Sequence, residues 1–360
     1  MSIAEAREVN LRPADLRLVL PREKADLEYQ PYVAMLQGPG SNKLAHINTR
    51  ASPKSVHPTT GTATFEGNEC NVYISNHMDY IDGLRVSARK LLDACVIALT
   101  EKNDYRGNGD IDYEVSIPLE EYARLLGKPT TKASIDEVRK QVKRDLNLLY
   151  NVSVEWTERK NRKPRDYSKM RIISFQSIRR GNIIVEFSVK FASYLIREAY
   201  IMQYPYALFK SDERNQSIYF LGRKLLLHRS IDNNSRKGTA GKISVRALLD
   251  DCPSIPSCEE VMNKGRALGR RIKQPFVDAL DVLVSMGIIS FEFVDSKGIP
   301  LMHSQVDNLS YYNFIDIYIE FDVIGFPNQS KRLEARDEEV KGRTQGKRRA
   351  SIKNATPNSK

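Results

Sequence analysis

The chain has 360 residues and a hydrophobic fraction of 41%, enough to form the cores of about two domains. Its 56 Lys and Arg residues outnumber 45 Asp and Glu, and the net charge of +11 points to a polyanionic partner, either nucleic acid or an anionic membrane surface. No apolar run approaches the roughly 18 residues of a transmembrane helix, the N-terminus lacks the apolar core of a signal peptide, and the four cysteines form no CxxC pair, so we expect a cytoplasmic protein without disulfides.

The first part of the chain, 1–70, is rich in Pro, Ser, Thr, Gly and Asn and has few regularly spaced apolar residues. This composition predicts a segment that is mostly disordered. One strand is predicted at its end, over Glu69–Ser75.

A first domain is predicted over 71–190. Its expected order is a helix, a short strand, a short helix, a third helix and a β-meander, over Val86–Glu101, Glu114–Ile117, Leu119–Leu126, Ser134–Tyr150 and Val152–Ser188. Ser87 is expected to cap the first helix, and Ser134 and Glu137 to form a capping box at the start of the third.

The third predicted helix separates apolar from basic residues. Its buried stripe is expected to contain Ile135, Val138, Val142, Leu146 and Leu149. Three basic residues fall on the opposite face: Arg139, Lys140 and Lys143.

A very basic hairpin tip, Arg159–Arg165, follows this helix and includes Arg162, Lys163 and Arg165. Because Lys and Arg are almost never fully buried without a partner, these side chains do not belong to a core. The tip is either a solubilising turn or a contact to phosphates or a minor groove. The basic helix beside it favours the DNA contact.

A connecting helix is predicted over 191–205, and the same order of elements then recurs in a second domain over 206–326. Its parts are expected at Asn215–His228, Lys242–Ser244, Val245–Asp251, Gly265–Gly287, Ile288–Val294 and Phe314–Asp322. The remaining residues, 327–360, form a basic tail of low hydrophobicity that we expect to be disordered.

The segment Gly265–Gly287 predicts an amphipathic helix, because Ile272, Phe276, Leu280, Leu283 and Val284 recur at helical spacing. Pro275 is expected to kink or restart it. The first half carries a cluster of polar and basic residues: Arg266, Arg270, Arg271, Lys273 and Gln274.

A basic third helix followed by a hairpin is typical of winged-helix domains. The predicted fold class is therefore α+β, with two tandem winged-helix domains and flexible N- and C-terminal tails. Arg270, Lys273 and Gln274 are the expected base readers, since Arg can bind guanine and Gln adenine in a bidentate manner. Arg271, about 100° round the helix from Arg270, is expected to meet phosphate or an acidic neighbour.

No pattern in the sequence points to catalysis. The nearest approach to a Walker A loop, Gly238–Ile243, has the wrong spacing and no Ser or Thr after its Lys. The five histidines are scattered, and no carboxylate cluster suggests a two-metal nuclease. We therefore expect no enzyme activity, no cofactor and no metal.

Three stretches of the second half resemble plasmid replication initiator proteins of the iteron-binding Rep type. They are GRKLLLH from Gly222, ISVRALLDDCPSIPSCEEVM from Ile243, and GRRIKQPFVDALDVLVSMGII from Gly269. The family carries a helix of the form basic-basic-apolar-basic-x-Pro-apolar, which Arg270–Phe276 matches. The resemblance extends over roughly 84–322, and its first half rests on element order.

The resemblance implies a protein that binds direct repeats, or iterons, in the double-stranded DNA of a plasmid origin. It implies bending and opening of the origin, recruitment of the host initiator and the replicative helicase, and copy-number control. Family members bind repeats as monomers, while homodimers formed through the N-terminal winged-helix domain repress their own promoter.

Three other functions remain open from the residues. A winged-helix transcriptional repressor would bind an inverted operator as a dimer. A nickase or recombinase would cleave DNA, and a structural module would have no nucleic-acid partner. The symmetry of the bound DNA separates the first of these from an initiator.

Overall fold

The structure is a computed structural model that describes residues 32–324 apart from 38, 50–52, 68–69, 81–82, 104–110, 161–162, 199, 233–240 and 264–266. The described residues belong to one compact unit, which ends at Ile324. The predicted basic tail, 327–360, and the first 31 residues lie outside the described residues. Helices and several sheets confirm the predicted α+β class.

The described elements of the first half begin with β1 (Tyr32–Gln37), α1 (Pro39–His46), β2 (Ser55–Val56), β3 (Ala63–Gly67), β4 (Cys70–Ile74) and α2 (Val86–Lys102). They continue with β5 (Glu114–Pro118), α3 (Leu119–Leu125), α4 (Lys132–Tyr150), β6 (Val152–Lys160), β7 (Lys163–Arg171), β8 (Ile173–Arg179) and β9 (Asn182–Phe187).

The second half begins with α5 (Val189–Glu198), β10 (Tyr200–Pro205), α6 (Gln216–Asp232), β11 (Lys242–Ser244), α7 (Val245–Asp250) and α8 (Cys258–Met262). A π turn, Gly269–Lys273, leads into α9 (Gln274–Ser285). The last elements are β12 (Ile289–Val294), β13 (Pro300–Leu301), α10 (His303–Asn308), α11 (Tyr311–Ile315) and β14 (Tyr318–Val323).

Two sheets have the same layout. In the first half, β9 lies between β5 and β8, and in the second half β14 lies between β11 and β12, with β13 outside β12. Helix α4 packs on α2 in the first half, and α9 packs on α6 in the second. With the β6–β7 hairpin of the first half and α8, β13, α10 and α11 of the second half set aside, both halves have the order helix, strand, helix, helix, strand, strand.

The residues 32–67 differ from the prediction of a mostly disordered segment. The strand β1 pairs antiparallel with β10, and its residues Val33, Met35 and Leu36 are buried. The strands β2 and β3 join β4 in a sheet that also contains β6 and β7. These short strands are ordered by pairing with strands that are far away in sequence. The local composition of 32–67 does not reveal such pairing.

The predicted connecting helix over 191–205 is wrong in its second half. Helix α5 ends at Glu198, and β10 follows with the buried side chains of Met202 and Tyr204. Strand β10 pairs with β1, and alternate side chains of a strand point to the same face. Met202 and Tyr204 can therefore both point into the core. A short apolar run of this length does not distinguish a helix from a strand.

The predicted caps are also displaced. Ser87 lies inside α2, whose N-cap is Arg85. Helix α4 begins at Lys132, and its N-cap Thr131 accepts a hydrogen bond from the Ser134 backbone N–H. Because α4 starts before Ser134, that residue is inside the helix and cannot form the predicted capping box with Glu137.

Close helix packing surrounds Gly222 in α6. A Cβ atom there would lie 2.9 Å from both Leu208 Cδ1 and Leu283 Cδ2. We expect Gly222→Ala to lower the free energy of unfolding by about 1–2 kcal/mol, because overpacking outweighs the gain in helix propensity. Denaturant unfolding measures this loss. Gly269→Ala is the matched control, since its Cβ would meet nothing within 4 Å, and an equal loss in both variants would contradict the packing argument.

Candidate nucleic-acid interface

Helix α4 presents a basic surface. Arg139, Lys140 and Lys143 are exposed as predicted, and Arg144 is exposed beside them. On the other side of the helix Val138, Val142, Leu146 and Leu149 are buried, whereas Ile135 is half-buried. The four basic side chains form no ion pair with the described part of the chain, so their charge remains available to an anion.

Hydrogen bonds from neighbouring elements hold α4 in place. Asp145 accepts a hydrogen bond of 3.0 Å from the Ser87 hydroxyl on α2. Asn147 Oδ1 accepts one of 2.9 Å from Gln176 Nε2 on β8. The basic face of α4 is therefore fixed relative to both α2 and the three-stranded sheet of β5, β9 and β8, which we call the small sheet.

The folding stability of this unit is expected to depend on pH through the carboxyl group of Asp145. Burial raises the pKa of its carboxyl from 3.8 to about 7, although the hydrogen bond from Ser87 opposes the shift. The folded chain therefore binds this proton more tightly than the unfolded chain. The contribution to stability is fully present below pH 3.8 and is lost as the pH rises towards about 7.

We expect Asp145→Asn to remove this part of the pH dependence. Unfolding of both proteins in urea, on either side of this pH range, measures it. The stability of the native chain relative to the variant should fall as the pH rises. A constant difference across the range would contradict the assignment to Asp145.

The basic tip predicted as a wing is not part of the small sheet. Its strands β6 and β7 pair with each other, and β6 joins β4 with Val152 opposite Ile74 and Val154 opposite Val72. Arg162 lies outside the described residues. Lys163 and Arg165 are in β7, where the structure describes the strand but not these side chains. The tip belongs to a different sheet because these apolar pairs bury one face of β6.

Strand β8 packs on α4, and the turn between β8 and β9 lies at the start of α3, where Gly181 O accepts a hydrogen bond of 2.8 Å from the Leu119 backbone N–H. Arg179 and Arg180 are exposed there, and the turn passes through Arg180 and Gly181 with φ of 49° and 78°. The Arg179 guanidinium lies 5.9 Å from the centre of the Phe175 ring. The sequence analysis placed these residues within the β-meander and gave them no role in binding. The signal that could have identified them is the pair of arginines before Gly-Asn.

In the second half, Arg270 and Arg271 are exposed on the π turn. Arg266 lies outside the described residues. The Gln274 backbone N–H donates to Gly269 O, five residues earlier, and Pro275 then starts α9. A proline ring clashes with the carbonyl four residues before it, and the wider turn relieves that clash. Pro275 therefore changes the winding of the helix, and a continuous helix follows.

Lys273 is not placed to read bases, which corrects the prediction. It is 8% exposed, and its Nζ donates to the carbonyls of Asp307 at 2.7 Å and Leu309 at 3.4 Å. In a regular α-helix Lys273 would fall near the face of Arg270. The extra residue in the π turn rotates it away from that face, towards the C-terminal end of α10.

Gln274 is exposed, as its predicted role requires. Its side-chain Nε2 donates to Asp278 Oδ1 at 2.7 Å. The partner lies one helical turn further along α9, so contact between Gln274 and a base would have to replace this hydrogen bond.

Among the described residues, no three His, Cys, Asp or Glu side chains come together in a way that could hold a metal ion. Within the same residues, none of the helices combines the length and the apolar character needed to cross a membrane.

No family model and no curated protein matches the sequence. Among solved structures, the chain is similar to a selenomethionine derivative of domains 2 and 3 of RctB, with 12% identity and a TM-score of 0.41, over 79% of this chain and 98% of that one. A second structure of RctB domains 2-3 gives 9% identity and a TM-score of 0.37, over 79% and 96% of the two chains. Neither value is high enough to assign a fold family or a function.

Proposed function

We propose that this protein initiates plasmid replication by binding direct repeats in double-stranded origin DNA through two winged-helix units. The observation that carries the proposal is the duplicated unit, in which both copies present exposed basic side chains on the helix that packs on the first helix, or on the turn that leads into it. In the first copy these are Arg139, Lys140 and Lys143, and in the second Arg270 and Arg271. None of the five forms an ion pair with the described residues, so each can neutralise a phosphate or meet a base.

The winged-helix assignment is supported by the order of elements and strands. In each unit a helix and a short strand precede further helices, two in the first unit and three in the second, and the last strand of each unit lies inside its sheet. The β6–β7 hairpin is inserted after the last helix of the first unit. In the second unit, α10 and α11 are inserted before that last strand. This arrangement would place α4 and the start of α9 in major grooves.

The proposed roles follow from the exposed positions. Arg270 reads a base, and Arg271 contacts phosphate. The basic face of α4 contacts phosphates or bases, and Arg179 and Arg180 contact phosphates or a minor groove. Opening of the origin and recruitment of the host initiator and helicase belong to the same proposal and come from the resemblance to iteron-binding initiators. Cytoplasmic location and the absence of enzyme activity are also part of it and come from the cysteine pattern and the lack of catalytic motifs in the sequence.

Footprinting of the purified protein on the DNA that flanks its gene tests the proposal. Two salt concentrations are needed, because basic proteins bind any DNA at low salt. Regularly spaced protection over direct repeats, retained at the higher salt, is the expected result. A single symmetric protection would instead indicate a repressor, and protection without register would indicate non-specific binding.

Arg270 and Lys273 form a matched pair for mutation, because both are basic residues of the same turn and only Arg270 is exposed. We expect Arg270→Ala to weaken binding to the footprinted site by about 1–3 kcal/mol and binding to random DNA much less. Lys273→Met should leave the salt dependence of binding unchanged, since its ammonium group is bonded to two carbonyls. Titrations by fluorescence anisotropy measure both. Equal losses on the two DNAs from Arg270→Ala would contradict the base-reading role.

A further inference from the structure

A buried ion pair joins the two halves of the chain. Asp93 on α2 pairs with Arg223 on α6, and these side chains are 4% and 3% exposed. The Tyr219 hydroxyl donates to Asp93 Oδ2 at 2.7 Å, and Arg223 Nη2 donates to Gln37 Oε1 at 2.8 Å. The pair therefore connects α2, α6 and β1 within one cluster, which we call the junction.

Further contacts between the halves surround the junction. Lys90 Nζ on α2 donates to Ser211 O at 2.6 Å. His46 Nδ1 on α1 lies 2.9 Å from Asp251 O. Arg89 holds α1 itself, because its guanidinium donates to the carbonyls of Leu44 at 2.6 Å and Ile47 at 2.7 Å.

Such contacts define one arrangement of the halves. A buried charge that loses its partner is costly, so Asp93 and Arg223 cannot separate without a large penalty. The directional hydrogen bonds of Tyr219 and Gln37 also limit how far α6 can rotate against α2. An apolar contact of the same area would allow more sliding, because hydrophobic attraction is non-directional.

The two helices of the junction also support the two basic surfaces. Helix α4, with Arg139 and Lys143, packs on α2, and α9, next to Arg270, packs on α6. Each basic surface is thus one helix–helix contact away from the ion pair. The geometry of Asp93 and Arg223 is transmitted through these contacts to the separation of the surfaces.

We propose that Asp93 and Arg223 are positioning residues that fix the distance between the two DNA segments bound by the halves. The DNA consequence rests on the proposed function, whereas the fixed distance itself does not. A protein with this junction recognises two half-sites at a single spacing. A protein without it recognises the same half-sites over a range of spacings.

The distance between the halves is tested first, without DNA. Spin labels are attached to Lys143→Cys on α4 and Asp281→Cys on α9, after Cys70 and Cys258 have been replaced by Ser. Electron–electron double resonance on the full chain should give one narrow distance distribution. Arg223→Met should broaden it or add a second distance, and an unchanged narrow distribution in this variant would overturn the proposal.

Controls separate positioning from loss of stability. Val142→Ala removes buried volume beneath α4 without touching the junction, so it should destabilise the chain and keep the distribution narrow. Arg223→Lys retains the charge and should restore a narrower distribution than Arg223→Met. If Arg223→Met does not fold, Asp93→Asn provides the same test, because it removes the charge at nearly unchanged shape.

Selection from a random duplex library then tests the DNA consequence. The native chain should enrich two half-sites at one spacing, and Arg223→Met the same half-sites at several spacings, with an affinity for the original spacing at least about fivefold lower. One spacing retained by the variant would show that the junction does not set specificity. If the native chain enriches no sequence, the proposed function fails, while the distance measurement still decides whether the junction fixes the halves.

Discussion

Replacing Arg223 by Met is expected to lower the free energy of unfolding by about 3–5 kcal/mol, the largest effect we expect from any single substitution in this chain. The substitution leaves the Asp93 carboxylate buried without its cation, although the Tyr219 hydroxyl still donates to it at 2.7 Å. Gln37 Oε1 also loses the donor 2.8 Å away. The penalty arises because a charge and an amide oxygen remain in the interior without the partners that replaced water.

The double variant Asp93→Leu with Arg223→Met separates the cost of an unpaired charge from the value of the pair itself. Apolar residues of similar volume can replace a buried ion pair at little cost. The double variant should therefore recover a substantial part of the stability lost in the single variant. Urea unfolding of the three proteins measures this, and a loss in Arg223→Met below about 1 kcal/mol would contradict the burial of the pair.

The second large effect is expected from Arg139→Ala, Lys140→Ala and Lys143→Ala combined on α4. If all three side chains neutralise phosphates, the slope of log K against log salt concentration should fall by about 2.7, or about 0.9 for each contact. The exposed positions predict little loss of stability, since surface substitutions usually change it by less than about 0.5 kcal/mol. Binding titrations over a range of salt concentrations measure the slope.

Lys54→Ala serves as the control for this variant. Its ammonium group is exposed but already paired with Glu66 on β3, in the sheet that contains β4 and β6. Its removal should leave the slope unchanged. A slope that fell by less than about one in the triple variant would show that α4 contacts bases or no DNA at all, and attention would move to the Arg179–Arg180 turn.

The sequence predicted the long helices closely. The first was expected over Val86–Glu101 and ends at Lys102, and the helix expected over Asn215–His228 extends over Gln216–Asp232. Apolar residues at helical spacing lie within one segment, so they reveal a helix without knowledge of its partners. The exposure of Arg139, Lys140 and Lys143 followed from the same helical phase.

The position of Lys273 was predicted from regular helical spacing, and this prediction was wrong. The π turn before Pro275 adds a residue to the turn, and the side chain moves from the predicted reading face to the carbonyls at the end of α10. Pro275, which causes the wider turn, is visible in the sequence. A helix can accommodate a proline either by a kink or by a wider turn, and the sequence does not distinguish the two.

The sequence by itself determined the long helices and the basic charge, because each depends on residues that are close together in the chain. Only the tertiary structure decided that β1 pairs with β10, that the β6–β7 hairpin joins β4, and that Asp93 meets Arg223. Strand pairing and buried ion pairs depend on partners far away in sequence, and Asp93 and Arg223 are 130 residues apart. Local periodicity carries no information about those partners.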